Sequence, residues 1–314
     1  MIISTDRDAR AITVDSYDAH VGNGLLERAG EIIRTAAPAH RYAIISDDNV
    51  APLYAPRLRA SLGAAQTGLF TIPSGEAHKT REQWAQLTDA LLAAGFGRDS
   101  TILALGGGVI GDLAGFVAAT YMRGIPFVQI PTTLLAMIDA SIGGKTGVDT
   151  AAGKNLVGAF HRPRTVLVDP TVLTTLPREQ LRAGVAEAIK HGAIVDAEYY
   201  ESVSVALPAL LDDPASDDML DLIVRSITIK ASIVRADEHE AGIRKILNFG
   251  HTFGHAIERC LGYGEWLHGE AVAAGMVMAA EFSERLGWLP AGEVRRIEKL
   301  LVALKLPVKP PALD

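Results

Sequence analysis

Short apolar segments alternate with longer amphipathic ones through the first half of the chain. Five of the short segments are rich in β-branched or apolar residues and bounded by Gly, Pro or Asp, which predicts buried strands: 42–46, 68–72, 101–105, 127–130 and 165–168. Between them, residues 81–94 place apolar side chains on one face at helical spacing and stop at Gly95, which predicts a helix. This alternation indicates a parallel α/β sheet.

The pattern changes near residue 170. Beyond it, strand-like runs become scarce and five helical patterns follow one another, at 177–192, 219–238, 251–261, 269–286 and 291–304. We therefore expect an α/β domain over 1–170, followed by an all-α domain over 171–314. The 314 residues, 48% of them hydrophobic, suffice for two cores of that size.

Composition excludes several kinds of partner. The net charge is -7 and the Lys and Arg residues form no run, which argues against a nucleic-acid partner. The single cysteine, Cys260, cannot form an internal disulfide, and we interpret it as an inert core thiol. The N-terminus lacks the order of a signal peptide and the longest apolar run, 271–280, is too short for a bilayer, so we expect a cytoplasmic protein with no membrane partner.

A glycine-rich turn follows the third predicted strand. Residues 106–112 have the G-x-G-x-x-G spacing and lead into an apolar helix, whose N-terminus would bind the pyrophosphate of a dinucleotide. A tight strand-to-helix turn without a ligand has the same pattern. Polar segments at 46–49 and 74–80 also follow predicted strands, where α/β sheets bind ligands, although solvated turns remain the alternative.

The segment Gly143-Gly144-Lys145-Thr146 resembles the end of a phosphate-binding loop. That motif requires glycine where this chain has Asp139, so an NTPase is disfavoured. Asp139, Lys145, Lys154 and Asn155 nevertheless lie between apolar stretches, and a partly buried charge needs a partner or a ligand. A small anionic substrate is one interpretation and a solvated loop is the other.

The second half of the chain contains a candidate metal site. Glu187, His251 and His268 make a plausible Zn²⁺ set, and three protein ligands leave a coordination position open, as in catalytic sites. His255 lies four residues after His251 on the same helix face and is either a fourth ligand or a substrate contact. The pair lacks the Glu of the H-E-x-x-H motif, which excludes a zinc protease of that type.

Taken together, five motifs closely resemble the 3-dehydroquinate synthase family. They lie at 106–124, 130–160, 182–192, 242–258 and 262–276, and the resemblance covers roughly residues 10 to 305. It implies a tightly bound NAD, one catalytic divalent metal, usually zinc with cobalt as the alternative, and a homodimer. It also implies that Glu187, His251 and His268 are the metal ligands.

The same resemblance assigns the remaining site residues. Those that would line the NAD site are Asp47, Asn49, Glu76, Lys79, Gly107, Gly108, Asp112, Thr132 and Thr133, with Lys154 and Thr175 as further contacts. Those that would surround the substrate are Asp139, Lys145, Asn155, Lys190, Lys230, Arg244, Asn248 and His255. Arg123 would reach the phosphate of the neighbouring subunit's substrate, which would make dimerisation functional.

The reaction of the family converts 3-deoxy-D-arabino-heptulosonate 7-phosphate into 3-dehydroquinate and phosphate. It is implied to proceed through transient oxidation at C5 by bound NAD, elimination of phosphate, re-reduction and an intramolecular aldol closure. Lys and Arg side chains would neutralise the substrate's carboxylate and phosphate, with guanidinium suited to the carboxylate.

Three alternatives stay open. The chain could be another sugar-phosphate cyclase, of the valiolone or deoxy-inosose type, using the same NAD and metal. Iron-type dehydrogenases share the architecture but generally have Asp where this chain has Glu187. An inactive NAD- and metal-binding homologue is the third, because the family normally continues beyond the equivalent of Pro307 with a Lys-Lys phosphate contact, whose loss would weaken substrate binding.

Overall fold

A computed structural model describes residues 2–6, 9–262 and 264–312 of the chain. The chain divides into two compact units, Met1–Leu173 and Thr174–Asp314. Each unit is built from different elements, a mixed sheet with helices in the first and helices in the second.

The first unit contains ten strands among its described residues. They are β1 (Ile2–Asp6), β2 (Ala9–Thr13), β3 (Asp18–Val21), β4 (Arg41–Asp47), β5 (Gln66–Ile72), β6 (Ser100–Gly106), β7 (Phe127–Pro131), β8 (Lys145–Thr150), β9 (Gly153–Phe160) and β10 (Thr165–Val168). Eight of them form one sheet in the order β1-β2-β3-β10-β7-β6-β4-β5, and β8 and β9 form a separate antiparallel pair. The five predicted strands are confirmed as β4, β5, β6, β7 and β10.

The sheet is parallel from β3 to β5 and antiparallel at its other end. Strands β1, β2 and β3 pair antiparallel, and β3 then pairs in parallel with β10. The predicted parallel sheet is therefore correct for its central strands, while the antiparallel strands at the start of the chain were not predicted. All parallel strands end at the same edge, so the polar segments after β4, β6 and β7 come together there.

Four α-helices lie among the described residues of this unit: α1 (Ala29–Ala36), α2 (Ala51–Leu62), α3 (Arg81–Ala93) and α4 (Gly108–Thr120). Side chains of α3 and α4 form one core cluster with those of β4, β6 and β7. Helix α4 also lies close to the β8–β9 pair, because a Cβ at Gly115 would stand 2.5 Å from the Thr146 Cγ2. This close approach brings the hairpin next to the helix that follows the glycine-rich turn.

The second unit is helical in its described residues. Its helices are α5 (Arg178–Val195), α6 (Ala197–Leu210), α7 (Asp217–Ala236), α8 (His251–Leu261), α9 (His268–Arg285) and α10 (Glu293–Ala303). The five predicted helices are confirmed within a few residues at their ends, whereas α6 was not predicted. Among the described residues, none of the helices combines the length and the hydrophobicity of a membrane span.

One expectation about the helical unit is wrong. Cys260 is exposed, not part of the core. The buried residues of α8 are Gly254, Ile257 and Glu258, and Cys260 lies off that face. The turn of α8 places the Cys260 thiol at the surface.

Candidate functional site

The strand ends of the first unit gather several of the predicted cofactor residues. Asp47 ends β4, is buried, and accepts hydrogen bonds from the backbone N–H groups of Asn49 and Val50 at 3.0 and 2.9 Å. The backbone N–H of Thr132 donates to the Gly106 carbonyl at 3.0 Å, which joins the turn after β7 to the turn after β6. Burial raises the pKa of the Asp47 carboxyl, although these two hydrogen bonds act to lower it.

The glycine-rich turn is held by packing as well as by backbone geometry. Strand β6 ends at Gly106, Gly107 precedes α4, and the helix begins at Gly108. A Cβ at Gly106 would lie 2.6 Å from the Ile110 side chain, and one at Gly111 would lie 2.7 Å from Gln129 Oε1. A Cβ at Gly107 would lie 3.1 Å from Thr133 Cγ2 and one at Gly108 would lie 3.3 Å from the Ala140 Cβ, so side chains pack closely along the whole turn.

A buried lysine is surrounded by carboxylates at the same edge. The Lys79 Nζ lies 2.8 Å from Glu76 Oε1, 3.4 Å from Asp112 Oδ2 and 3.6 Å from Asp149 Oδ1, and the Lys79 side chain is only 4% exposed. The Lys154 Nζ lies 3.7 Å from the same Glu76 oxygen. Five of the charged groups in this unit therefore form one network of two cations and three anions.

The network shifts the ionisation of its members. Burial alone would lower the pKa of Lys79, but the three carboxylates outweigh burial and raise it. Burial raises the pKa of Asp112 to about 6, although the ammonium of Lys79 opposes that shift. The pKa of Glu76 is lowered, because Lys79 and Lys154 together exceed the effect of its burial.

Asp149 was not among the predicted site residues. Its backbone N–H donates to the Lys79 carbonyl at 2.7 Å, and its carboxylate accepts from the Asn155 backbone N–H at 2.8 Å. Asn155 has a left-handed backbone, with φ of 56°. The signal in the sequence was an acidic residue next to Val148, four positions after Lys145, in the glycine- and threonine-containing segment of β8.

The other predicted residues of this unit lie in separate segments. Asp139 is in a π-helical turn, Ala136–Ala140, and the exposed Lys145 begins β8. Lys145 pairs with Phe160 at the end of the hairpin opposite to Lys154. Arg123 has φ of 69° and follows Met122 at φ of 52°, so two non-glycine residues in succession adopt the left-handed conformation.

In the second unit, one predicted metal ligand comes from each of three helices. Glu187 lies in α5 and is fully buried, His251 is the first residue of α8, and His268 is the first residue of α9. The Nε2 atoms of His251 and His268 lie 3.6 and 4.0 Å from Glu187 Oε1. One ligand atom from each of the three residues lies within 4.8 Å of the other two.

Further contacts orient these three side chains. The Lys190 Nζ forms an ion pair with the second oxygen of Glu187, Oε2, and both side chains are buried. The Nδ1 atoms of the two histidines face acceptors at 3.4 Å, the Phe249 carbonyl for His251 and Glu258 Oε1 for His268. Each ligand therefore presents one atom to the centre and has its other polar atom near a protein group.

Glycines let the three helices come into backbone contact. A Cβ at Gly269, next to His268, would lie 1.9 Å from the Ala183 carbonyl oxygen of α5. A Cβ at Gly275 of α9 would lie 2.1 Å from the Gly250 carbonyl oxygen, just before α8. The positions of His251, His268 and Glu187 depend on these contacts, since each ligand is within four residues of one of them.

The remaining predicted residues of this unit differ in their surroundings. Lys230 in α7 is buried, and His255 in α8 is exposed with its ring centroid 5.6 Å from that of His251. Arg244 is 2% exposed, its backbone N–H donates to Asp237 at 3.1 Å, and its guanidinium donates to the Glu238 carbonyl. Asn248 donates to Glu240, and Thr175 ends the 3-10 turn Pro170–Thr175.

Comparisons with solved structures identify the class of protein. The 2-epi-5-epi-valiolone synthase of Streptomyces hygroscopicus, solved with NAD⁺ and Zn²⁺ bound, matches with a TM-score of 0.87 and 33% identity, over 96% of this chain and 84% of that one. A 2-deoxy-scyllo-inosose synthase, solved with carbaglucose-6-phosphate, NAD⁺ and Co²⁺, matches with a TM-score of 0.85 and 30% identity, over 98% and 83%. A butanol dehydrogenase of Thermotoga maritima, at a TM-score of 0.67 and 15% identity, shares the fold alone.

Sequence comparisons define the family within that class. Family models described as 3-dehydroquinate synthase N-terminal and C-terminal match residues 69–183 and 184–314. The 3-dehydroquinate synthase of Nitrosomonas europaea is 50% identical over 302 residues, which cover 95% of this chain and 81% of that protein. The Methylococcus capsulatus enzyme is 50% identical over 296 residues, 94% of this chain and 82% of that protein. The chain belongs to the 3-dehydroquinate synthase family.

Proposed function

We propose that this enzyme converts 3-deoxy-D-arabino-heptulosonate 7-phosphate into 3-dehydroquinate and phosphate, as a carbon–oxygen lyase that uses NAD and one divalent metal. Its membership of the family at 50% identity supports the reaction. The observation in the structure that carries the proposal is the convergence of the His251 and His268 Nε2 atoms on Glu187 Oε1.

The three side chains suit a catalytic divalent metal. Two imidazole nitrogens and one carboxylate oxygen are a donor set of catalytic zinc sites, in which substrate or water completes the coordination. Lys190 supports this assignment because its ammonium pairs with Glu187 Oε2, while Glu187 Oε1 is directed to the two histidines. When bound, the metal supplies a Lewis acid and NAD supplies a reversible hydride acceptor.

The strand-end residues of the first unit are proposed to hold NAD. Gly107 and Gly108 lie at the N-terminus of α4, where backbone N–H groups and the helix dipole favour phosphate oxygens. Residues proposed to bind other parts of the cofactor are Asp47, Asn49, Glu76, Lys79, Asp112, Thr132, Thr133, Lys154 and Thr175. The ion pairs of Lys79 would keep this edge rigid before NAD arrives, which reduces the ordering required on binding.

The residues that the family resemblance assigned to the substrate are proposed to bind it. The Arg244 guanidinium is buried and anchored by the Glu238 carbonyl, and its planar fork suits the substrate carboxylate. The other proposed contacts are Asp139, Lys145, Asn155, Lys190, Lys230, Asn248 and His255. Their contribution would be positioning and charge neutralisation, the two effects that supply most of the acceleration when geometry is preorganised.

A homodimer is part of the proposal. Arg123 would bind the substrate phosphate in the neighbouring subunit, and its left-handed backbone beside Met122 is the kind of strain found at functional positions. A cytoplasmic location and the division into a nucleotide-binding domain, 1–170, and a metal- and substrate-binding domain, 171–314, also remain proposals.

A second candidate is another sugar-phosphate cyclase, because solved cyclases of the valiolone and deoxy-inosose types match at TM-scores of 0.87 and 0.85. Their identities of 33% and 30% lie well below the 50% of the curated 3-dehydroquinate synthases, which favours the first candidate.

Parallel substrate assays separate the candidates. The purified chain, with NAD and Zn²⁺, is incubated with the seven-carbon heptulosonate phosphate or with glucose 6-phosphate, and phosphate release and product are followed by NMR. We expect phosphate and dehydroquinate from the first substrate alone, and neither from Glu187→Ala. Release from glucose 6-phosphate, or no release from the heptulosonate phosphate by a chain that binds both NAD and zinc, would reject the proposed reaction.

A further inference from the structure

A buried carboxylate lies beside the metal ligands without being one of the predicted three. Glu258 is on α8, seven residues after His251 and three after His255, so it shares their face of the helix. It is 3% exposed, and its Oε1 lies 3.4 Å from the Nδ1 of His268. The other nitrogen of that ring, Nε2, is the atom directed at Glu187 Oε1.

We propose that Glu258 is a positioning residue that acts through His268, an inference that rests on the proposed metal-dependent function. A neutral imidazole has one N–H donor and one acceptor nitrogen, and only the acceptor can bind a metal. Glu258 Oε1 accepts a hydrogen bond from Nδ1–H and so holds His268 in the tautomer whose Nε2 lone pair points to the metal position. The same contact fixes the rotation of the ring about χ2 and increases the donor strength of Nε2.

The two histidines obtain this support in different ways. The Nδ1 of His251 faces the Phe249 carbonyl, a backbone group only two residues away in the chain. His268 obtains it from Glu258, a side chain of another helix. Glu258 therefore links α8, which carries one ligand, to α9, which carries another, and the relative positions of the two ligands depend on it.

A merely structural role does not account for a carboxylate at this position. Moving a carboxylate out of water costs several kcal/mol unless its partners compensate. The neighbouring contacts between α8 and α9 are apolar, made by Ile257, Ala271 and Ala274, and an aliphatic side chain would extend them without that cost. The acceptor oxygen directed at His268 is the feature that an aliphatic residue could not supply.

Direct metal ligation by Glu258 is the competing interpretation. One ligand atom each from His255, Glu258 and His268 lies within 4.8 Å of the others, which would allow a second ion. The geometry favours the positioning role, because Glu258 Oε1 is at hydrogen-bond distance from Nδ1 while Nε2 faces the fully buried Glu187. In that arrangement one ion binds per chain.

Metal binding tests the inference without requiring turnover. Glu258→Gln keeps the shape but loses the charge, and Glu281→Gln on α9, far along the helix from His268, is the matched control. We expect zinc affinity, measured by competition with a chromophoric chelator, to fall about 10- to 100-fold in Glu258→Gln and to stay unchanged in Glu281→Gln. The visible spectrum of bound Co²⁺ should change with the first substitution, and Glu258→Asp should recover part of the affinity.

Two results would overturn the inference. Zinc affinity within about twofold of the wild type, with an unchanged cobalt spectrum, would leave Glu258 no role in positioning. Binding of two zinc ions per chain by the wild type and of one by Glu258→Gln would show that Glu258 is a ligand of a second ion.

Should Glu258→Gln fail to fold, ¹⁵N NMR of His268 in the metal-free wild type decides: protonation at Nδ1 supports the inference and protonation at Nε2 refutes it. A chain that binds zinc in this way but releases no phosphate would refute the proposed reaction and leave Glu258 in its role.

Discussion

Replacing Gly269 by alanine should damage the metal centre without touching a ligand. The added Cβ would lie 1.9 Å from the Ala183 carbonyl oxygen, 2.5 Å from its carbonyl carbon and 2.6 Å from its Cα. These are backbone atoms of α5, so no flexible side chain can move aside. Helices α5 and α9 would have to separate by roughly 1.5 Å to restore van der Waals contact.

The size of the effect follows from the ligand distances. Two atoms bound to one zinc ion cannot be further apart than about 4.2 Å, since each bond is about 2.1 Å. The His268 Nε2 is already 4.0 Å from Glu187 Oε1, so a further separation of a few tenths of an ångström prevents both from binding one ion. We expect zinc affinity to fall at least about 100-fold and the free energy of unfolding to fall by about 2–4 kcal/mol, after the helix propensity gained by alanine.

The assay combines zinc competition with urea unfolding of the metal-free chain. Gly254→Ala is the graded control, because its Cβ would lie 3.1 Å from the Ala271 carbonyl oxygen and needs only a small shift. It should lose at most about 1 kcal/mol. Wild-type zinc affinity and an unchanged unfolding midpoint in Gly269→Ala would refute the claim that this backbone contact positions the ligands.

Three further predictions concern charged groups. Lys190→Met leaves Glu187 buried without its cation and should destabilise the metal-free chain by about 3–5 kcal/mol, and by less with zinc bound, as measured by urea unfolding. Burial raises the pKa of the Asp112 carboxyl from 3.8 to about 6, so this group stabilises the folded chain below pH 4 and loses that contribution as the pH rises through 6. Because the Lys79 ammonium lowers this pKa, Lys79→Met should raise it further, as measured by a carboxyl NMR titration. Arg123→Ala and Glu187→Ala, each inactive alone, should regain dehydroquinate formation when mixed dimers form, because one site of each mixed dimer is intact.

Each of these has a result that contradicts it. If Lys190→Met lowers the free energy of unfolding equally with and without zinc, Lys190 does not influence metal binding by Glu187. A pKa near 4 for the Asp112 carboxyl would show that burial does not dominate it, and Asp112→Asn serves to assign the signal. Mixed dimers without activity would show that Arg123 does not act across the subunit boundary.

The elements that the sequence predicted correctly are those with an apolar period and marked ends. Helix α8 was predicted with its observed ends, because Gly250 and Gly262 flank it and both adopt positive φ, which stops a helix. Strands β4, β5, β6, β7 and β10 are apolar runs closed by turn residues. Helix α6 was missed because its β-branched, tyrosine and proline residues weaken the helical pattern, and packing of the helical unit overrides that weakness.

The antiparallel strands and the hairpin were missed for a different reason. Strands β1 to β3 are short and mix charged with apolar residues, and β8 and β9 carry glycines that weaken a strand pattern. These strands pair with their neighbours in the chain, but their weak apolar alternation gives no period-2 pattern from which they could be predicted. Gly147 and Gly158 are required because the two strands approach closely there, a Cβ at Gly158 lying 2.0 Å from the Thr146 carbonyl oxygen.

Within the site, motifs indicated residue types but not distances. Glu187, His251 and His268 were proposed from their chemistry and family resemblance, and the structure places their ligand atoms close together. Asp149 and Glu258 were overlooked because neither belongs to a metal-binding or phosphate-binding motif. The position of Glu258, seven residues after His251 on one helix face, was a usable signal, but its contact with His268 depends on the packing of two helices.

We propose that Glu187, His251 and His268 hold one divalent metal on which dehydroquinate formation depends. The most direct test of this proposal adds zinc back stepwise to the chelator-treated chain with NAD present, and measures bound zinc and dehydroquinate formation on the same sample. We expect activity to rise in proportion to bound zinc and to saturate at one ion per chain, with no gain in Glu187→Ala. Activity that is independent of zinc, or that Glu187→Ala retains, would contradict it.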